Sequence, residues 1–482
     1  MKRLTRHLLW AGEAAAQAAP ATALRAKGGA PAPRPPLTAL RTRRAGEAAA
    51  TEQPVLDVFM APRERAVYLL HVGAEIEHAL LVQYLYAGYS LGGPHLTAKQ
   101  ARLVKRWRDT VLEIAREEMG HLVTVENILT LIGGPLSFER EDYPAPKDLY
   151  PFPFELEPLT KRSLGKYVLA EMPDEETLRK LKLDGEIAEI EKYVGVEGEP
   201  KVNRVGVVYS AIMQLFTAPT VPQEPPPEPP AFVASSDIQS ASLRFQVRRD
   251  EWGLWYKDIL IETATDRTSA LAAINAIAVQ GEGSDLGKDP RRQLAGSHFG
   301  KFLKIYREFP NEHGWRPARN VARNPTTDPD APRPRRITNP LAQLWAGLLN
   351  LRYRMLLMYL EHSFRIEAPA KATVRTPRGL LVSWAFGEMY NVRSITEILM
   401  RTPMRAGGDL MAGPPFEMPY SLTLADRDAD RWRGHRDLLL ASQQYVAELE
   451  RGDGGGEHAA YLKGLRAANE AALAQVTLLI GG

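Results

Sequence analysis

The sequence predicts an all-α protein, in which an antiparallel helical bundle with Pro-rich crossovers is followed by a second helical region. A first helix is expected over about residues 63–91, where a Gly-Gly-Pro run at 92–94 ends it. A second helix should open at Thr97, since Thr97 and Gln100 fit a capping box, and stop at the Gly-Gly-Pro run at 133–135. The connection between them is short, so these two helices should form an antiparallel hairpin.

Further segments extend this pattern along the chain. A Pro- and aromatic-rich crossover is expected next, then a short helix, a charged stretch interpreted as a solvated insertion, and three more helical segments. The corresponding ranges are 135–160, 164–170, 175–195, 202–216, 268–283 and 291–309. The expected division is a disordered extension rich in Ala, Arg and Pro (1–53), a bundle domain (54–323), a Pro-rich linker (324–340) and a C-terminal helical domain (341–482).

The composition excludes several classes of function. The chain has no cysteine among its 482 residues, which rules out disulfides, zinc–thiolate sites and iron–sulfur clusters. Nine of its 61 Lys and Arg residues lie in the first 50 positions, and the remaining 52 face 56 acidic residues, which argues against a nucleic-acid surface. No apolar run approaches the roughly 20 residues that a membrane helix needs. We therefore expect a cytoplasmic protein with no nucleic-acid or membrane partner.

The first two helices carry ionisable residues at spacings that place them inside the bundle. At about 100° per residue, Glu77 and Tyr84 share one helix face, and Glu118 and His121 share another. Their neighbours on those faces are apolar, and buried carboxylates are costly unless a cation compensates them. A Glu-x-x-His pair alone is also common on solvated surfaces. Combined with an inward Glu on an adjacent antiparallel helix, it indicates a carboxylate-bridged metal site.

Four strings resemble the ferritin-like domain of the iminophenyl-pyruvate dimer synthase family, whose bacterial members couple imines derived from amino acids. They are IEHALLVQYLYAGYSL, IAREEMGHLVTVENILTLIGGP, INAIAVQGEG and SHFGKF, and they span about residues 65–310 with gaps. The resemblance implies a ferritin-like fold and non-heme iron, as one or two ions, with manganese as a further option. By position, it implies metal ligands at Glu77, Glu118, His121, Glu282 and His298.

The last two ligands have other interpretations, and one position departs from the family. Glu282 lies between glycines, where a glutamate is usually in an exposed turn, and a histidine such as His298 is often a hydrogen-bonded core residue. Family members tend to carry an acidic residue before the tyrosine that is Tyr209 here, whereas this chain has Val207 and Val208. This departure leaves a mononuclear or asymmetric site open, with Glu262 and Asp285 as the nearest substitutes.

These observations predict a non-heme iron oxidoreductase of bacterial secondary metabolism. Tyr84 is the candidate catalytic residue, as a donor of a hydrogen bond or an electron, although it could simply pack with its hydroxyl satisfied. The expected substrate is a small imine-like molecule handed over by an amino-acid oxidase, and a homo-oligomer is left open. The alternative is a non-catalytic structural or assembly module of a biosynthetic complex.

The second helical region is expected to be mainly a packing region with few inward charges. Glu361 with His362, and Glu388, could in principle be metal ligands. Because adjacent helix positions diverge by about 100°, Glu361 and His362 are expected at a surface or interface.

Overall fold

The computed structural model describes residues 60–145, 152–196, 205–217, 232–283, 290–311, 313–418, 422–453 and 456–481. Within these residues, the regular structure is helical, with a few isolated β-bridges, which confirms the predicted all-α class. The helices are α1 (Pro62–Ser90), α2 (Ala98–Leu131), α3 (Lys161–Ala170), α4 (Glu175–Leu181), α5 (Asp184–Val194), α6 (Val205–Phe216), α7 (Arg249–Trp252), α8 (Arg267–Glu282), α9 (Pro290–Gly296), α10 (His298–Glu308), α11 (Pro340–Ser363), α12 (Pro377–Leu399), α13 (Asp428–Asp453) and α14 (Ala459–Gly481).

The hairpin of α1 and α2 is the centre of the first group of helices. Pro62 opens α1, because a proline at the first turn loses no helical hydrogen bond. The side chain of Thr97 accepts a hydrogen bond from the backbone N–H of Gln100, and the Gln100 side chain accepts one from the Thr97 N–H, so the predicted capping box is present. Most residues of α1 are buried, as expected of a helix that is covered on several sides.

Four shorter helices enclose one face of the hairpin. Helix α6 packs against α1 and α8, and helix α10 packs against α2, α3 and α8. The segment 291–309, expected as one helical stretch, is divided into α9 and α10 by Ser297, whose hydroxyl accepts from the N–H of Gly300 and caps α10. This break puts His298 on the first turn of a new helix, pointing into the bundle.

The charged stretch at 175–195 is not the solvated insertion that its sequence suggested. It forms α4 and α5, and α5 packs on α3 with Ile187, Ile190 and Val194 buried. These three positions are spaced by three and four residues, which gives the helix an apolar stripe among its acidic residues. The high charge of the segment concealed this stripe.

Helices α11 to α14 form the second group, and their core contains more inward charge than expected. Arg352 is buried on α11 and donates hydrogen bonds to Glu388 on α12, Ser442 on α13 and Asn469 on α14. All four helices are therefore joined through one guanidinium group. A buried cation is tolerable here because a carboxylate and two neutral acceptors surround it.

The pair of Glu361 and His362 lies between helices and not on the outer surface. His362 is fully buried, and its ring nitrogens lie 2.9 Å from His435 Nε2 and 2.9 Å from Asp428 Oδ1, both on α13. Glu361 is 9% exposed, and Arg365 lies 3.6 Å away. Both side chains therefore lie in the interface between helices. Their adjacency in the sequence predicts either a surface or an interface position.

Residues 1–53 and Asp285 lie outside the described residues, so the expectations for the N-terminal extension and for Asp285 as a ligand stay predictions. The domain boundaries stay predictions, although in the expected linker Ile337 is fully buried. Among the described helices, none is both long enough and apolar enough to cross a membrane.

Gly120 on α2 gives a direct test of the helix packing. A Cβ there would collide with the backbone oxygen of Leu260 and lie 2.6 Å from Cγ2 of Ile259, whereas at Gly387 on α12 it would meet nothing within 4 Å. We expect Gly120→Ala to destabilise the fold by about 1–3 kcal/mol through overpacking. The matched control, Gly387→Ala, should be neutral or stabilising by about 0.5–1 kcal/mol. Thermal unfolding of both variants measures this, and equal melting temperatures would contradict the packing.

Candidate metal centre

The structure brings all five predicted ligands into one buried region. Glu77 lies in the middle of α1, and Glu118 and His121 lie one turn apart on α2. Glu282 is the last residue of α8, and His298 is the first residue of α10. None of the five side chains is more than 7% exposed. Neither the exposed-turn interpretation of Glu282 nor a solvated Glu-x-x-His pair fits these positions.

Two imidazole rings and one carboxylate form the core of the cluster. Oε2 of Glu118 lies 2.9 Å from Nδ1 of His121, and Oε1 of Glu118 lies 2.9 Å from Nδ1 of His298. The two rings are stacked, with centroids 5.3 Å apart. Donor atoms of all three residues lie within 4.8 Å of one another, and Oε2 of Glu77 is 3.4 Å from Nδ1 of His121. Glu118 is therefore placed between two nitrogen donors.

Glu282 enters the same cavity from the end of α8. It lines the cavity together with Glu77, Glu118 and His121. Gly206 of α6 faces it so closely that a Cβ at this position would collide with the Glu282 carboxylate. The absence of a side chain at residue 206 thus makes room for the acid.

A sixth ligand candidate, Glu171, was missed by the sequence analysis. Glu171 follows α3 directly, is 4% exposed, and places Oε2 3.7 Å from Nδ1 of His298. Its helix was recognised only as far as Ala170, and the next residues, Glu-Met-Pro, follow the periodic segment. The signal available was a glutamate at the exit of an apolar helix, the same signal that singled out Glu282.

Glu171 can also supply the carboxylate that is absent at Val207. Val207 and Val208 are buried apolar residues of α6, so this helix supplies no carboxylate at those positions. Glu262 does not substitute for it. Its backbone N–H and C=O bond Thr124 and Asn127, and the residue does not line the cavity. The fourth acid comes instead from the end of α3.

Hydrogen bonds from outside the cluster orient its members. The hydroxyl of Tyr84 donates to Oε1 of Glu171 at 2.5 Å, and the hydroxyl of Tyr209 donates to Oε1 of Glu77. Tyr84 therefore touches a ligand candidate, and its proposed catalytic role stays a prediction. Oε2 of Glu117 lies 3.0 Å from Nε2 of His298, and this carboxylate also accepts from Lys301. Partners of this kind fix the orientation of metal ligands.

The pKa values indicate how protons balance the negative charges of the cluster. Burial by itself lowers the pKa of His121, but the carboxylates of Glu118 and Glu77 outweigh burial and raise this pKa to about 10. The pKa of His298 is likewise raised, against burial, by Glu118 and Glu117. Burial, and then the charge of Glu118, raise the pKa of Glu77 to about 7. Imidazolium protons thus occupy the place of a cation among the acids.

The donor set fits a metal ion. All donors are carboxylate oxygens and imidazole nitrogens, and the cavity among them has a volume of about 10 Å³, which is room for about one water-sized particle. Oε1 of Glu118 and Nδ1 of His298 are buried and lie 2.9 Å apart. Once the imidazole has lost its proton, both atoms present lone pairs to one point, as ligands of one ion would.

A comparison with known families identifies a ferritin-like domain around this cluster. Residues 70–307 match the family model described as ferritin-like. This range contains all six ligand candidates. The chain therefore carries a ferritin-like domain, as its sequence motifs indicated.

Two individual proteins illustrate the similarity. The chain is 26% identical over 407 residues to dichlorochromopyrrolate synthase from Lentzea aerocolonigenes, an alignment that covers 74% of this chain and 36% of the relative. The chain thus spans about a third of that relative's length. A solved ferritin-like protein from Caulobacter vibrioides is 18% identical, with a TM-score of 0.40 over 69% of this chain and 96% of that one.

Metal binding should depend on pH in a defined direction. Because His121 has a pKa of about 10, it is protonated in the metal-free protein at neutral pH and must lose that proton to become a ligand. We expect metal uptake to release at least one proton, so the affinity should fall at least about tenfold for each unit by which the pH is lowered from 8 to 6. Calorimetric titration with ferrous or manganous ion in buffers of different ionisation enthalpy measures this release. An affinity independent of pH would contradict the arrangement.

Proposed function

We propose that this protein is a non-heme iron oxidoreductase. The observation that carries the proposal is the convergence of four carboxylates and two imidazoles inside the helical bundle. The residues that would hold the metal are Glu77, Glu118, His121, Glu171, Glu282 and His298. Oxygen and imidazole donors without thiolates suit iron or manganese.

Charge balance supports two divalent ions over one. Four ionised carboxylates carry four negative charges, and two neutral imidazoles add none, so two divalent cations neutralise the set. Glu117 does not enter this balance, because Lys301 lies 2.9 Å from its carboxylate. A single ion would leave two acids to be compensated by protons. Pairs of Glu and His ligands from helices of a bundle are also the usual ligand set of dinuclear carboxylate sites.

The chain itself would orient the ligands, exclude water and hold protons at the site. When bound, iron would supply one-electron chemistry and an open position for an oxidant. Tyr209 holds a proton on its hydroxyl against Glu77, and Tyr84 holds one against Glu171. The rings of Tyr167 and Phe302 pack on Tyr84 with centroids 4.9 and 4.8 Å away, so its hydroxyl is fixed in an apolar surrounding.

The substrate class is part of the proposal. The name of the relative from Lentzea aerocolonigenes describes a synthase of dichlorochromopyrrolate. Together with the resemblance in the sequence motifs, this favours an oxidative step in bacterial secondary metabolism on an amino-acid-derived, imine-like molecule. We propose that an amino-acid oxidase supplies it in the cytoplasm.

One observation favours the alternative of a non-catalytic structural module. The cavity at the donors, about 10 Å³, is far smaller than an organic substrate. Catalysis therefore requires that an organic substrate reach the site through a rearrangement or react from outside the ligand shell. A structural module needs neither. The presence of six buried donors opposes this alternative, because burying several carboxylates together is costly and a structural module does not require it.

Three variants separate the two candidates. Glu118→Gln keeps the side-chain shape but removes a charge, and His121→Ala removes a donor, so both should abolish bound metal and oxidase activity in a folded protein. Leu122→Ala, next along the same helix, should keep the metal while costing about 2–5 kcal/mol of stability through a cavity. The measurement is metal content per chain beside thermal unfolding.

We expect two ions per chain in the parent protein and in Leu122→Ala. Full metal content in both ligand variants would overturn the iron proposal and leave the structural module. A folded parent protein that takes up no iron or manganese would do the same.

A further inference from the structure

A second and larger cavity lies between the two groups of helices. Its volume is about 140 Å³. The walls come from the outer face of the α1–α2 hairpin and from α11 and α12. The lining includes Leu81, Ala115, Arg116, Met119, Tyr256 and Leu357.

This cavity is separate from the metal centre. Leu81 and Met119 line it, whereas Leu80 and Glu118, their immediate neighbours in sequence, line the cavity of the ligand cluster. Adjacent helix positions diverge by about 100°, so the two cavities lie on different faces of the α1–α2 hairpin. Nothing in the donor cluster requires the larger cavity.

The size and lining of the cavity suit one ring of a small molecule. Protein interiors are packed densely, and an unfilled apolar space of this size is unusual in a core. An apolar cavity of about 150 Å³ in another protein admits benzene. The wall here is mainly leucine, methionine and tyrosine, and methionine adapts its shape to aromatic surfaces.

The guanidinium of Arg116 places a positive charge at one end of this apolar cavity. Arg116 is partly exposed, with its guanidinium 5.6 Å from the centroid of the Tyr256 ring, and no described carboxylate forms an ion pair with it. The other arginine of the lining, Arg393, already has Glu397 at 3.8 Å. Tyr256 and Tyr390 both line the cavity, and Tyr390 is 50% exposed, so these two tyrosines mark the mouth. Arg116 is thus free to receive an anion beside the opening.

We propose that this cavity is a binding site for a single-ring aromatic monocarboxylate. The ring would lie against Leu81, Met119 and Leu357, and the carboxylate would pair with Arg116 in the two-pronged geometry that guanidinium favours. The site requires no metal, so it stands independently of the function proposed above.

The test uses the full chain and two matched probes. Phenylacetate carries the ring and the anion, and benzyl alcohol carries the ring alone. Calorimetric titration should show saturable binding of phenylacetate, with benzyl alcohol weaker by about tenfold or more, because a charge-assisted hydrogen bond is lost. Arg116→Gln should reduce phenylacetate to the affinity of the alcohol. The control, Arg106→Gln, changes an exposed arginine of the same helix and should leave both affinities unchanged.

A filling variant tests the location. Ala115→Phe places a ring inside the cavity and should abolish binding of both probes. If Ala115→Phe does not fold, the phenylacetate affinity of Arg116→Gln still tests the proposal, since residue 116 lies at the mouth of the cavity. Absence of saturable phenylacetate binding to the parent chain, or equal phenylacetate affinity in the parent and in Arg116→Gln, would overturn the proposal. Neither result depends on the metal content of the protein. A failure of this proposal would therefore not affect the iron proposal, which has its own test.

Discussion

The burial of ionisable groups in the α1–α2 hairpin is the constraint on which the rest of the structure depends. Glu77, Glu118 and His121 are at most 2% exposed, and such groups are stable in a core only when opposite charges and hydrogen bonds surround them. The surrounding helices end or begin where they can supply these partners. Glu171 comes from the end of α3, Glu282 from the end of α8, and His298 from the start of α10.

The same hairpin also divides the molecule. One face turns to the charged cluster, and another face turns to the apolar cavity beside α11 and α12. The second group of helices is held by a separate polar centre, in which Arg352 joins α11 to α12, α13 and α14. The space between the groups is lined mainly by leucine, methionine and tyrosine. This division places the ligand cluster and the ring-sized cavity on different faces of the same hairpin.

The sequence was sufficient where a residue lies within a long periodic helix. Glu77, Glu118 and His121 follow from the helical repeat, because the repeat alone decides which face a side chain shares. Glu171 lies one residue beyond its helix, where periodicity no longer determines direction, and only the packing of α3 against α10 turns it inward. His362 shows the same limit, because it is buried by α13, a helix distant in sequence. Long-range contacts of this kind decide the direction of a side chain, which the local sequence pattern does not.

Crystals of the protein soaked with ferrous ion and measured at the iron absorption edge test the central claim most directly. We predict anomalous density enclosed by Glu118, His121 and His298, with a second peak toward Glu77 and Glu282. Each iron should have oxygen or nitrogen donors at about 2.0–2.2 Å. Iron density confined to the surface, with His298 still contacting Glu118 and nothing between them, would contradict the account.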